Sequence, residues 1–288
     1  SNWTGLTDVA SSIQVQRGLG ASKLVIPAVG GTMNIITRGI DSKRSVRLRQ
    51  EYAFGAFSRT SFAMNSGKTK KGWAFSMAGS FKTGQGWVDG TFTRGFFYYG
   101  KVEKIIGKHH LSLYGLGAPQ EHGQRLRSEA IALYSAETAL AVGAPNTYAP
   151  NATTERPIFN GGINYNPDVG YLTRYDFVNG QRTNIQAEEQ FNGRVNFYHK
   201  PQISLNHDWV ISDKTFLTTV AYASFGTGGG RRLYGTGKFT NNDYRLGDDD
   251  QPIDFDRIVQ ENKDNGALGS TDVFAASNND HNWYGVLS

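Results

Sequence analysis

From Ser45 onward the chain repeats one pattern: apolar side chains at every second position, with polar or small side chains between them. Val46, Leu48, Tyr52 and Phe54 fall on one face, Arg47, Arg49 and Glu51 on the other. Trp73, Phe75, Met77 and Phe81 lie opposite Ala74, Ser76, Ala78 and Ser80, and Ile203, Leu205, Trp209 and Ile211 lie opposite Gln202, Ser204, Asn206 and Asp208. A period of two marks β-strands whose faces meet different environments. The stretch from Gly95 to Ile106 is less regular, because Phe96, Phe97, Tyr98 and Tyr99 are contiguous. That run fits an aromatic girdle at a membrane interface or the packing of a soluble core. The pattern predicts eight strands, near 44–54, 58–66, 72–83, 95–106, 109–117, 197–211, 215–226 and 281–288.

The links between these strands carry as much information. Gly67–Lys71, Gly107–Lys108 and Ser212–Lys214 are tight. The link after the third strand has about a dozen residues, after the fifth about eighty and after the seventh about fifty-five, lengths rare in compact soluble domains. Apart from a short first link, short and long connections alternate, as in an up-and-down barrel with short periplasmic turns and long outer loops. A soluble β-sandwich gives no reason for that asymmetry. Within the loops, Ser128 to Val142 has helical spacing (Ile131, Tyr134, Thr138, Ala141), a serine cap, and Gly143 and Pro145 as stop signals. Gly161 to Gly170 is turn-rich. Ahead of the strands, Ile13–Arg17 and Thr32–Thr37 read as two short strands, separated by Gly18–Ser22 and Ile26-Pro27.

Composition narrows the choice. The 288 residues include no cysteine, which removes disulfides, thiolate metal sites and thiol nucleophiles. The net charge of +5 is spread along the chain, so no nucleic-acid footprint is expected. Mean hydropathy is −0.46 and no window is apolar enough for a spanning helix. Thirty-five glycines beside 17 Phe, 14 Tyr and 5 Trp suit strands and turns.

Motifs for chemistry are weak. Gly226–Gly230 followed by Arg231 and Arg232 lacks the helix a phosphate cradle needs, and reads as a flexible outer-loop base. Gly67-Lys68-Thr69 fails as a nucleotide loop because Phe62 stands where the first glycine belongs. Asp248, Asp250 and Asp254, in a wider acidic cluster, are the only weak metal candidates; the calcium-loop glycine and bidentate glutamate are missing. The six histidines lack ligand spacing, and no serine, histidine and aspartate grouping has a nucleophile's context. No enzyme activity and no cofactor are expected. Loop aromatics Trp87, Tyr148, Tyr165 and Tyr171, with Arg231 and Arg232, are the candidate solute contacts.

The N-terminal unit carries the most specific signal. Ile13-Gln-Val-Gln-Arg-Gly18 followed by Gly30-Gly-Thr-Met-Asn-Ile-Ile-Thr37 resembles the end of the plug domain of TonB-dependent outer-membrane receptors. Leu19–Val29 and Tyr198-His-Lys-Pro-Gln202 are similar to versions from Bacteroidetes-type bacteria. The resemblance implies an all-β fold: a transmembrane antiparallel β-barrel, here about eight of about 22 strands, with the C-terminal part of the plug. It divides the chain into a plug tail, 1–40, and barrel strands, 41–288, with outer loops near 117–196 and 227–280. Signal peptide, TonB-contacting segment, earlier plug and later strands are expected beyond this chain. In the family, the arginine of the Arg-Gly pair meets acids on the inner wall. By that match Arg17 is the latch, with Gly18, Gly30, Gly31 and Asn34 around it and Glu51 as a wall-side acid. The implied setting is the bacterial outer membrane, and the implied function is energised import of a scarce metal chelate, glycan or peptide. Partners would be lipid, a TonB-type energy-coupling protein and, as an optional lid, a surface lipoprotein. A passive porin and a soluble sandwich with binding loops are the alternatives.

Overall fold

The computed structural model describes residues 5–17, 30–125, 129–148, 156–179, 181–233, 244–247, 251–266 and 274–287. In chain order these form α1 (Leu6–Val9), β1 (Ala10–Arg17), β2 (Gly31–Thr37), β3 (Ser45–Ala53), β4 (Phe57–Asn65), β5 (Trp73–Gln85), β6 (Phe92–Ile106), β7 (His109–Gly117) and β8 (Gln120–Gly123). Then follow α2 (Ile131–Tyr134), α3 (Ala136–Ala141), β9 (Thr147–Tyr148), β10 (Arg156–Pro157), β11 (Val169–Val178) and β12 (Gln181–Asn192). The last elements are β13 (Val195–His199), β14 (Gln202–Ser212), β15 (Thr215–Leu233), β16 (Ile253–Asp254), α4 (Phe255–Gly266) and β17 (Phe274–Leu287).

One antiparallel wall dominates, running β3–β4–β5–β6–β7–β14–β15, with β17 pairing β15. β8 and β13 continue β7 and β14 upward. Leu116 faces Gln202 and Gly123 faces Val195, so both segments keep a single register across their interruptions. Pro119 and Pro201 sit at those interruptions, where a residue without an N–H cannot donate to the ladder. Counted as continuous strands, the wall has, among the described residues, the eight members expected from the sequence. The chain is all-β in character and forms part of a barrel wall.

The turns 66–72, 107–108 and 213–214, none longer than seven residues, share one end of the wall, the tight-turn end. At the other end lie the three-residue turn 54–56, the link 86–91, and the described parts of the long connections from β8 to β13 and from β15 to β17. The link after β5 is six residues rather than a dozen, because β5 and β6 run on as a long hairpin.

The wall is apolar on the side it exposes. On β5, Trp73, Phe75, Met77 and Phe81 point outward, Met77 with 48 % of its surface open, while Ala74, Ser76, Ala78 and Ser80 are buried on the inner face. Phe62, Phe96, Val102, Leu113, Ile203 and Leu205 extend the outward apolar band across neighbouring strands. The contiguous ring run resolves by alternation: Phe97 and Tyr99 turn inward, Phe96 and Tyr98 outward.

The inner face is covered by the N-terminal segment. Leu6 and Val9 pack with Ala63, Ala78, Phe97, Tyr99, Leu116 and Ala118. From there β1 and β2 form a hairpin whose Ile35 packs against the same cluster while Ile13, Val15 and Met33 are exposed. Gly31 faces Arg17 in that hairpin at φ 114, and a Cβ there would sit 2.2 Å from the Gln16 carbonyl oxygen, so the position demands glycine. Gly30 has open space around it.

Three expectations change. The helical stretch begins at Ile131, breaks at Ser135, and is capped there by the Ser135 hydroxyl accepting from Thr138 N; Ser128 is outside the described residues. Its buried side chains are Ala132, Leu133 and Ala139, not the set from Ile131 to Ala141. The glycine run 226–230 is not a flexible loop base but strand, held between β13 and β17. At Gly228 a Cβ would press on Tyr198 Cβ at 2.9 Å, so close strand packing explains that glycine. The third is a layer above the wall's open-loop end, made of a β11–β12 hairpin with β16 parallel to β11 and α4 packed on it. Tyr244, Ile253, Phe255 and Ile258 form its core with Leu172 and Phe191.

Candidate functional site

Two features stand out: the contacts holding the N-terminal segment to the wall, and a cavity beneath the loop layer.

The first centres on Arg59. Its position on β4 turns the guanidinium to the inner face, where it donates to the Asp8 carboxylate of α1 and, through Nη1 at 2.6 Å, to Glu51 of β3. The Arg59 and Asp8 side chains are 11 % and 8 % exposed. A planar fork that meets two carboxylates from separate parts of the chain is the geometry arginine supplies and lysine does not. Arg49 lies 3.8 Å from Glu51 in open solvent and adds little.

A second contact lies nearer the tight-turn end. Lys101 Nζ donates to the Arg38 carbonyl at 3.4 Å and pairs with buried Glu103 at 3.1 Å. His110 stands 3.3 Å from Glu103 and 3.4 Å from Asp208, extending the polar row along the inner face. Arg38 N in turn donates to Val9 O at 2.9 Å, closing the N-terminal segment on itself where it meets the wall.

Of the expected latch residues, Glu51 is in the ion-pair system and Arg17 is not. Arg17 ends the exposed strand β1 and is not among the partners of Glu51. Asn34 donates to Gln14 within the hairpin, at 3.2 Å, and Gly18 is outside the described residues. Sequence reasoning missed Asp8 and Arg59. Arg59 was visible as a cation opposite Glu51 once β3 and β4 are paired as neighbouring strands.

The cavity, of about 710 Å³, opens between the upper ends of β5 and β6 and the β11–β12 hairpin. Arg94, Glu121, Glu189, Gln190, Asn192 and Arg231 give it a polar lining of both signs. The Arg231 guanidinium lies over the Phe191 ring at 4.6 Å. Amide side chains fix the roof: Asn166 Nδ2 donates to Asp89 O at 2.9 Å and to Gln124 O at 3.1 Å, and Asn192 Nδ2 to Gly90 O at 2.9 Å. Buried amides satisfied by loop carbonyls make rigid what would otherwise be long free connections.

Among the expected solute contacts, Trp87 is exposed in the 86–91 turn and Tyr171 is exposed on β11. Tyr165 is buried against Phe159, ring centroids 5.2 Å apart, and its carbonyl accepts from Arg125, so its role is structural. The side chains of Tyr148 and Arg232, and residues Asp248 and Asp250, are outside the described residues. Asp254 accepts from Arg257 N at 2.9 Å and so caps α4. Among the described residues no cluster of histidine and acidic side chains could hold a metal.

No protein-family model matches the chain, and no curated protein matches it. Among solved structures it is similar to the ferric-catecholate import receptor Fiu from E. coli K12. The open form aligns with TM-score 0.53 and 12 % identity over 79 % of this chain and 30 % of that one. The closed form aligns with TM-score 0.54 and 11 % identity over 97 % of this chain and 32 % of that one. The chain thus spans about a third of the length of that receptor. At this identity the likeness establishes the fold: an antiparallel wall of the kind found in a β-barrel import receptor.

Proposed function

We propose that this chain is the plug tail and first eight wall strands of a TonB-dependent outer-membrane receptor that captures a scarce solute in its loops and imports it. Residues 1–40 are the plug tail and 41–288 the wall with its outer loops. The observation that carries this reading is the inversion of the wall: large apolar side chains face outward, while the small and polar face is covered by the N-terminal segment. A wide barrel needs a folded stopper, because its own side chains cannot fill the lumen. Likeness to an import receptor and the paired Arg17-Gly18 and Gly30-Gly31 motif support the same assignment.

On this reading the Asp8–Arg59–Glu51 system is the latch between plug and wall, with Arg17, Gly31 and Asn34 shaping the hairpin beside it. A poorly hydrated charge pair is costly to leave half-broken, so it favours two states, seated or released. The energy to release it comes from a TonB-type protein pulling on plug residues outside this chain. The solute, a metal chelate, glycan or peptide, binds in the loop cavity near Trp87, Tyr171 and Arg231, and a surface lipoprotein lid belongs to the Bacteroidetes-type version of this design.

The test is uptake by cells carrying the full-length receptor, with a panel of ferric chelates, oligosaccharides and peptides. The reading expects saturable accumulation of one class that stops when the proton gradient is collapsed. Flux that rises linearly with concentration and ignores the gradient would make the protein a porin.

A further inference from the structure

The two ends of the wall differ in charge as well as in loop length. At the loop end the cavity mixes arginines with glutamates. At the tight-turn end the turns 66–72, 107–108 and 213–214 stand side by side, because β5 pairs β6 and β7 pairs β14. They carry Lys68, Lys70, Lys71, Lys108 and Lys214 against a single acid, Asp213. Lys104 adds a further ammonium one step up the outer face.

The side chains there are arranged as well as charged. Trp73 and Phe75 stack outward with ring centroids 6.1 Å apart and planes 9° apart. Lys104 Nζ lies 4.6 Å above the Trp73 ring and donates to the Lys71 carbonyl at 2.6 Å. Thr69, Lys70, Lys71, Trp73 and Phe75 line an open cleft of about 500 Å³. Further along the same rim His109 stacks between His207, at 5.2 Å, and Trp209, at 5.3 Å.

We propose that this rim is a binding site for an anionic glycerophospholipid of the leaflet next to the tight turns. The ammonium groups of Lys70, Lys71 and Lys104 hold the headgroup phosphate, and the acyl chains run up over Trp73 and Phe75 onto the apolar band. A free phosphate has no use for an aromatic floor beneath the cations. A zwitterionic lipid would need a carboxylate for its ammonium, and residues 66–73 contain none. Lysine stems that lie along apolar surface with their heads at the polar boundary, beside interfacial tryptophan, suit this chemistry.

The inference rests on the membrane reading above, and its test separates the two. The full-length protein is extracted in mild detergent from membranes containing phosphatidylglycerol and phosphatidylethanolamine, and retained lipid is weighed by native mass spectrometry. The wild type should retain phosphatidylglycerol on the order of tenfold over phosphatidylethanolamine, with three lysines each favouring the anion. That preference should fall as salt rises and vanish in the Lys70→Gln, Lys71→Gln, Lys104→Gln variant, with inorganic phosphate failing to compete. Equal retention of the two lipids, a preference indifferent to salt, or displacement by inorganic phosphate would overturn it. If the triple variant does not assemble, the salt series on the wild type still decides. A protein that stays soluble without detergent defeats the membrane reading itself, whereas a detergent-dependent one with heat-modifiable gel mobility and no lipid preference defeats only this proposal.

Discussion

The inner and outer faces of β5 are one residue apart and belong to opposite worlds. Outward, Trp73, Phe75, Met77 and Phe81 are large, apolar and exposed; inward, Ala74, Ser76, Ala78 and Ser80 are small, partly polar and buried. In a protein surrounded by water the large set would be inside, because burying apolar area is the main driving force for folding. Here the small set leaves room for α1 to approach, and the large set waits for an apolar surrounding. Exposure and polarity have come apart, and on the proposed membrane reading an outer lipid solvent reconciles them.

That contrast can be broken in graded steps. The largest effect belongs to the inner face: Arg59→Ala leaves the Asp8 carboxylate buried without its cation, at a cost of about 3–5 kcal/mol. The expected readout is early loss of the N-terminal segment in a denaturant series, with rapid proteolysis inside residues 5–40 while the wall stays intact. Asp8→Ala made together with Arg59→Ala should cost less than the two added separately. Next, Met77→Arg on the outer face should destabilise the assembled wall by about 2–4 kcal/mol, read as loss of heat-modifiable mobility. Gly31→Ala, forced to φ 114 against the Gln16 carbonyl, should cost about 1–3 kcal/mol in thermal unfolding, whereas Gly30→Ala stays within about 0.5. Arg49→Ala is comparably small, because its exposed pairing with Glu51 is worth about 0–1 kcal/mol in the same assay.

How far this architecture could be read from residues follows the same divide between local and distant effects. Strands such as β3 and β5 announced themselves because each keeps its period of two, whereas β6 showed through a run of rings that only the structure sorts into alternating faces. The broken strand around Pro201 was found as one because its register survives the proline. The β11–β12 hairpin was missed although Asn179-Gly180 is a strong two-residue turn signal, and Asn179 does adopt φ 54. Alpha4 was passed over inside an acidic stretch whose Asp254 is its cap. The run at 226–230 looked like slack because the reason for Gly228 lies on another strand, in Tyr198. The partner of Glu51 was misplaced for the same kind of reason. Which cation reaches it depends on how a short N-terminal helix seats against β4, and Asp8 and Arg59 are 51 positions apart. Local patterns fix strands; contacts between separate parts are set by packing that no short motif records.

The central claim is that the outer face of the wall meets lipid and the inner face does not. These 288 residues contain no cysteine, so labels placed among them report from known positions once any cysteine elsewhere in the protein is replaced. Single cysteines placed in the full-length protein at 74, 75, 76, 77, 78 and 81 would carry nitroxide labels in a bilayer, and their collisions with oxygen and with a water-soluble nickel chelate would be measured. Labels at 75, 77 and 81 should collide mainly with oxygen and those at 74, 76 and 78 should be shielded from it, an alternation with period two. A nickel chelate that reaches 75, 77 and 81 freely, or six labels that behave alike, would contradict it.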